Sequence, residues 1–141
     1  MVVEEAVIKV LKGGQYIGGQ EIAEFEENFA SLVGVNHAVG CNSGTDALIL
    51  ALRALDIGKG DEVITSSFSF FATAEAISAV GANPVLVDIN PNDYLINIDL
   101  IEEEINSNTK AIMPVHLFGN AVNMKSIKAL AEKYNLKIIE D

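Results

Sequence analysis

Tryptophan is absent from the 141 residues, cysteine occurs once and proline three times. A single cysteine, Cys41, excludes any intrachain disulfide, so the chain relies on its core and suits a reducing compartment. Basic residues are also scarce, nine against twenty acidic ones, for a formal net charge of −11. A surface of that sign repels phosphate backbones and anionic lipid, which argues against nucleic acid or a membrane as partner. No apolar run reaches the roughly 18 residues that span a bilayer. The Met1-Val-Val-Glu-Glu start lacks the basic residues of a signal peptide. A cytoplasmic protein with no metal site is expected.

Apolar residues, by contrast, make up 50% of the chain, enough for one core that buries about 70% of the surface of the unfolded state. Helical spacing appears over 4–12, which meets Gly13-Gly14, and over 20–33, which Gly34 closes. In the second helix Ile22, Phe25, Phe29, Leu32 and Val33 recur at three- and four-residue steps. A repeated unit of short apolar strand, turn and helix then sets in. Strands are expected over 37–41, 62–65, 84–88, 111–115 and 137–140, with helices over 45–56, 72–80, 99–105 and 124–134. Val85-Leu86-Val87 and Lys137-Ile138-Ile139 do not alternate, which suits strands covered on both faces. The order predicts a three-layer α/β fold, a mostly parallel sheet with helices on both faces, and no second domain or linker within residues 1–141.

Ligands of parallel sheets bind beyond the carboxyl ends of the strands. There the sequence sets Asn42-Ser43-Gly44-Thr45-Asp46, Ser66-Ser67-Phe68-Ser69-Phe70, Asp88, His116-Leu117-Phe118-Gly119-Asn120 and Asp141. The first joins a strand to a helix, and its small residues let backbone N–H groups approach a phosphate; an ordinary N-cap by Ser43 or Thr45 is the alternative. It is neither a dinucleotide fingerprint nor a Walker loop, since the glycine spacing and the Gly-Lys-Ser/Thr ending are missing. Phe68 and Phe70 could each stack on a flat heterocycle or enter the core, and their spacing does not choose between them. Asp88 beside Asn90-Pro91 reads as a turn former.

Six segments stand together in one order: Gln15-Tyr16-Ile17-Gly18-Gly19, Asn42 to Leu48, Gly60-Asp61-Glu62-Val63-Ile64-Thr65, Phe70 to Ile77, Pro114-Val115-His116-Leu117-Phe118-Gly119 and Ile139-Glu140-Asp141. In that order they resemble the DegT/DnrJ/StrS sugar aminotransferases over nearly the whole chain. The resemblance implies the N-terminal part, residues 1–141, of the large domain of a fold type I enzyme. Such an enzyme uses pyridoxal 5′-phosphate (PLP), is usually a homodimer, and moves an amino group from glutamate or glutamine to a keto group of a nucleotide-linked sugar. It further implies that Gly44, Thr45 and Asp46 line the cofactor phosphate, that Phe70 stacks on the pyridine ring with Thr73 nearby, and that Asp141 pairs with the pyridine nitrogen. A carboxylate there favours the pyridinium and so draws electrons from the reacting carbon. His116 and Asn120 are candidates for bordering the cofactor or the substrate, and Tyr16 for contact with the sugar or a neighbouring subunit.

The same resemblance puts the Schiff-base lysine later than Asp141. The eight lysines present fall on expected helices or at the opposite end of the strands. The chain is therefore expected to be a truncated portion that does not transaminate alone and binds PLP weakly or not at all. A dehydratase of the same fold, with histidine at the lysine position, and a noncatalytic half-domain acting as an assembly module are the competing readings.

Overall fold

In the computed structural model, which describes residues 2–141, the chain divides after Cys41 into two units. In the first, helix α1 (Val2–Gly13) stops where Gly14 takes a φ of 72° and its N–H reaches the Val10 carbonyl at 3.0 Å. Helix α2 (Gln20–Val33) stops likewise at Gly34, φ 78°, whose N–H bonds the Ala30 carbonyl. Only glycine enters this left-handed region without a Cβ penalty, so these residues end the helices. The strand expected over 37–41 is not formed. A strand exists only as part of a ladder, and the Gly40 N–H goes instead to the Glu26 carboxylate at 2.7 Å, while Val39 is 80% exposed. Among the described residues of this unit only Ala30 is buried, so the single core expected for the whole chain is a core of residues 42–141.

The second unit is a parallel sheet of four strands, β1 (Glu62–Ser66), β2 (Asn83–Val87), β3 (Thr109–Met113) and β4 (Lys137–Ile138), in the order β2-β1-β3-β4. Side chains of a strand alternate between faces. On one face Val63, Ala111 and Met113 meet helices α3 (Gly44–Ala54) and α4 (Phe71–Ala79) through Leu48, Leu52, Ala76 and Ile77. On the other, Ile64, Val87 and Ile112 meet α5 (Ile98–Glu104) and α6 (Met124–Tyr134) through Ile101, Ile127 and Ala131. The three expected layers are therefore present. Coverage of β2 differs from expectation: it lies at the sheet edge, so Leu86 is 55% exposed while Val87 is buried. By contrast Ile138 and Ile139 do enter opposite cores. Beyond β4 the ladder continues, with Ile139 N–H to the Ile112 carbonyl at 3.1 Å and Asp141 N–H to the Pro114 carbonyl at 3.0 Å. Asp141 is thus held in register with the end of β3. No described helix is long and apolar enough to cross a membrane.

On the surface, Glu102 of α5 accepts hydrogen bonds from Lys133 and Tyr134 of α6. The Lys133 ammonium and then the Tyr134 hydroxyl hold the Glu102 carboxyl below its ordinary range, and Glu102 raises Lys133 in turn. A lowered carboxyl contributes stability above its unfolded value and loses it as pH falls through the folded one; a raised ammonium contributes below its unfolded value and loses it as pH rises through the folded one. Both contributions are present at neutral pH. Glu102→Gln should therefore lower the thermal midpoint slightly at neutral pH. The gap to the parent should close on acidification through the lowered Glu102 range, as thermal melts across pH would record.

Candidate functional site

The chain leaves β1 toward β2 but leaves β3 in the opposite direction, toward β4. Connections of one hand then put α4 on one face and α5 and α6 on the other, and the loops after β1 and β3 diverge. Such a reversal opens a crevice at the carboxyl ends of the strands. A cavity of about 430 Å³ lies there, lined by Gly44, Thr45, Ser69, Phe70, Thr73, His116, Phe118 and Asp141 among others. Its size falls in the roughly 300–1,000 Å³ range of small-ligand sites.

One wall is the start of α3. Ser43, extended at φ −157°, caps the helix: its Oγ accepts the Asp46 N–H at 3.1 Å and its carbonyl accepts the Ala47 N–H at 3.0 Å. The Ser43 hydroxyl in turn donates to Asp46 Oδ2 at 2.9 Å. That leaves the N–H groups of Gly44 and Thr45 without a partner among the described residues, at the positive end of an eleven-residue helix whose first two residues line the cavity. The cap and the anion site expected as alternatives are therefore compatible. The Asp46 carboxylate accepts the Ser43 hydroxyl, and Asp46 is not among the lining residues.

Of the two candidate rings, Phe70 lines the cavity and is 80% exposed. Phe68 leans on Tyr94 instead, with centroids 6.1 Å apart. Opposite, Asp141 Oδ2 accepts the Thr73 hydroxyl at 2.6 Å, and the Asp141 carbonyl accepts the His116 N–H at 2.9 Å. The His116 ring is committed on both sides. The Val122 N–H can only donate, so Nδ1 accepts it at 3.1 Å, and in the neutral ring the proton sits on Nε2, 2.9 Å from Glu140 Oε2. Although His116 borders the cavity, its ring therefore ties β3's loop to the residue before Asp141. Asn120 is exposed and outside the lining. Tyr16 belongs to the first unit, where its hydroxyl bonds the Leu11 carbonyl at 3.2 Å. None of the lysines lines the cavity; Lys110 and Lys137 fall in the first two residues of β3 and β4, at the far end of the sheet.

These features were compared with known proteins. A model of the DegT/DnrJ/EryC1/StrS aminotransferase family matches residues 3–141. The chain belongs to that family. It is 51% identical over 139 residues to the dTDP-3-amino-3,6-dideoxy-alpha-D-galactopyranose transaminase of Aneurinibacillus thermoaerophilus, covering 99% of this chain and 38% of that protein. The crystal structure of NtdA from Bacillus subtilis with bound cofactor PMP superposes with a TM-score of 0.96 at 39% identity, over 98% of this chain and 32% of that one. The E. coli GDP-4-keto-6-deoxy-D-mannose-3-dehydratase with bound hydrated PLP gives a TM-score of 0.89 at 30% identity, over 98% and 37%. The chain thus spans about a third of the length of each of these proteins.

Two cavity residues lie in segments the sequence placed at the strand ends but were not singled out there. Ser69 lies 2.7 Å from the Thr73 hydroxyl, and their four-residue spacing across a helix start was the available signal. Phe118, 93% exposed, sits at φ 53°, ψ 25° in a 3₁₀ turn, Leu117–Gly119. A left-handed L-residue costs about 1–2 kcal/mol, least for asparagine. Phe118→Asn should consequently raise the unfolding free energy by up to about 1 kcal/mol in urea titration, since an exposed ring contributes little burial. A stabilised variant that lost ligand affinity would mark the strain as kept for the site.

Proposed function

We propose that residues 42–141 carry the PLP-contacting half of a nucleotide-sugar aminotransferase. One observation carries this reading: a single cavity joins two unused helix N–H groups, an exposed ring and a carboxylate. Those are the donor, the platform and the counter-charge that a phosphorylated, cationic heterocycle requires. The Gly44 and Thr45 N–H groups would hold the phosphate, Phe70 would cover one ring face and exclude water from it, and Asp141 Oδ1 would accept a hydrogen bond from the protonated pyridine nitrogen and so keep its proton in place. PLP, when bound, supplies the electron sink for moving an amino group. The amino acceptor is a keto group on a nucleotide-linked sugar, in line with the nucleotide-linked sugars in the relatives' names, and the donor is glutamate or glutamine. The acting protein is a homodimer whose lysine lies outside these 141 residues. The lysine-free lining supports that last point, and the likeness to a dehydratase keeps dehydration by the same fold as a second reading.

The test is a PLP titration of the chain followed by borohydride reduction and peptide mapping. Weak saturable binding, competed by inorganic phosphate and leaving no specific pyridoxyl-lysine, is expected. A single stoichiometric pyridoxyl-lysine within these residues would overturn the assignment of the lysine. Binding indifferent to phosphate would overturn the anion site.

A further inference from the structure

Thr73 is 2% exposed, and its hydroxyl stands between two partners, Asp141 Oδ2 at 2.6 Å and Ser69 Oγ at 2.7 Å. Its single proton goes to the carboxylate, which as an anion can only accept. Ser69 must then donate to Thr73, so the protons run one way, Ser69 to Thr73 to Asp141. We propose that Ser69 and Thr73 are positioning residues that aim Asp141 at the pyridine nitrogen. The inference rests on the reading of this cavity as a PLP site.

Three observations bear it. With Oδ2 engaged, Asp141 Oδ1 makes no hydrogen bond to any described residue, so the carboxylate presents one defined oxygen. Thr73 occupies the first turn of α4 and is β-branched, so its side chain has little rotational freedom with which to let Oδ2 go. Ser69 directly precedes Phe70, the cavity's ring, and Thr73 N–H bonds the Phe70 carbonyl at 3.2 Å. The hydroxyl pair therefore bridges the backbone on either side of Phe70 while it holds the carboxylate. One-way donation along such a chain polarises each link, so loss of the outer hydroxyl should weaken the inner bond without abolishing it.

Two measurements on the chain test this. In the first, without cofactor, NMR follows the hydroxyl proton of residue 73 in the parent and in Thr73→Ser, Thr73→Val and Ser69→Ala. A slowly exchanging signal coupled across to the Asp141 carboxyl is expected in the parent and Thr73→Ser, faster exchange in Ser69→Ala, and no signal in Thr73→Val. Its absence from the parent would overturn the relay. In the second, PLP labelled with ¹⁵N in the ring is added at saturation and its nitrogen resonance is read. The parent and Thr73→Ser should hold the pyridinium position. Thr73→Val should move toward the unprotonated position with PLP affinity within about threefold, and Ser69→Ala should fall between. An unmoved resonance in Thr73→Val overturns the positioning role. A relay seen in the first measurement with no PLP binding in the second overturns the cofactor reading instead, and the proposal with it. Should Thr73→Val fail to fold, Ser69→Ala, at the outer end of the relay, decides by the same resonance.

Discussion

Replacing Ile112 by alanine is expected to remove about 2–5 kcal/mol of stability, the range for emptying a buried branched site. Ile112 is completely buried in the middle of β3, between β1 and β4, and faces the core shared with Ile64, Ile101 and Ile127. Neighbours fixed in a sheet and two helices cannot collapse into the gap, so the cavity persists and the loss should lie toward the upper end. Against a total of about 5–15 kcal/mol for a domain, that is a large share. Urea titration followed by circular dichroism measures it. Leu86→Ala, on edge strand β2 and 55% exposed, should by the same method change stability by only about 0.5 kcal/mol. Equal losses at the two positions would contradict a core with two faces centred on β1 and β3.

The second large effect is expected at Asp141. Asparagine keeps the shape of the carboxylate and can still accept the Thr73 hydroxyl, but it carries no charge. If Asp141 is the counter-charge of a bound pyridinium, Asp141→Asn in the intact protein should slow single-turnover amino transfer from glutamate by about 10²–10³, as for other preorganised groups removed from a developing charge. Cofactor affinity should change far less, because the Gly44 and Thr45 N–H groups proposed for the phosphate are untouched. Stopped-flow absorbance with glutamate alone isolates this step from sugar binding. A variant as fast as the parent would remove Asp141 from the mechanism.

Local pattern made most of the second unit legible. Helix α6 appears at its expected bounds because Asn123 caps it and Asn135, in the left-handed region, ends it. Strands β1 and β3 were found within a few residues because each is an apolar run between turn residues. What pattern could not supply was partnership. The 37–41 segment has strand composition but no ladder, and Leu86 has core composition at an edge position. The candidate site divides along the same line. Gly44, Thr45, Phe70 and Asp141, which the resemblance implied, all line the cavity; of these only Phe70 and Asp141 come after strands, β1 and β4, while Gly44 and Thr45 open α3. The Thr73–Asp141 bond joins residues 68 apart in sequence and arises only when crossovers bring distant loops together, while the Val122 N–H that fixes the His116 tautomer depends on the path of the single loop after β3, which no periodicity reports.

The cavity draws its walls from four stretches of chain, around residues 44–48, 69–73, 115–118 and 141. None of them holds the ligand groups alone, so the unfolded chain has no site to offer. Any molecule the cavity accepts must then favour folding by mass action, adding about 1.4 kcal/mol for each tenfold excess over its dissociation constant. The melting temperature becomes a balance on which candidate ligands can be weighed, whether or not the chain can turn them over.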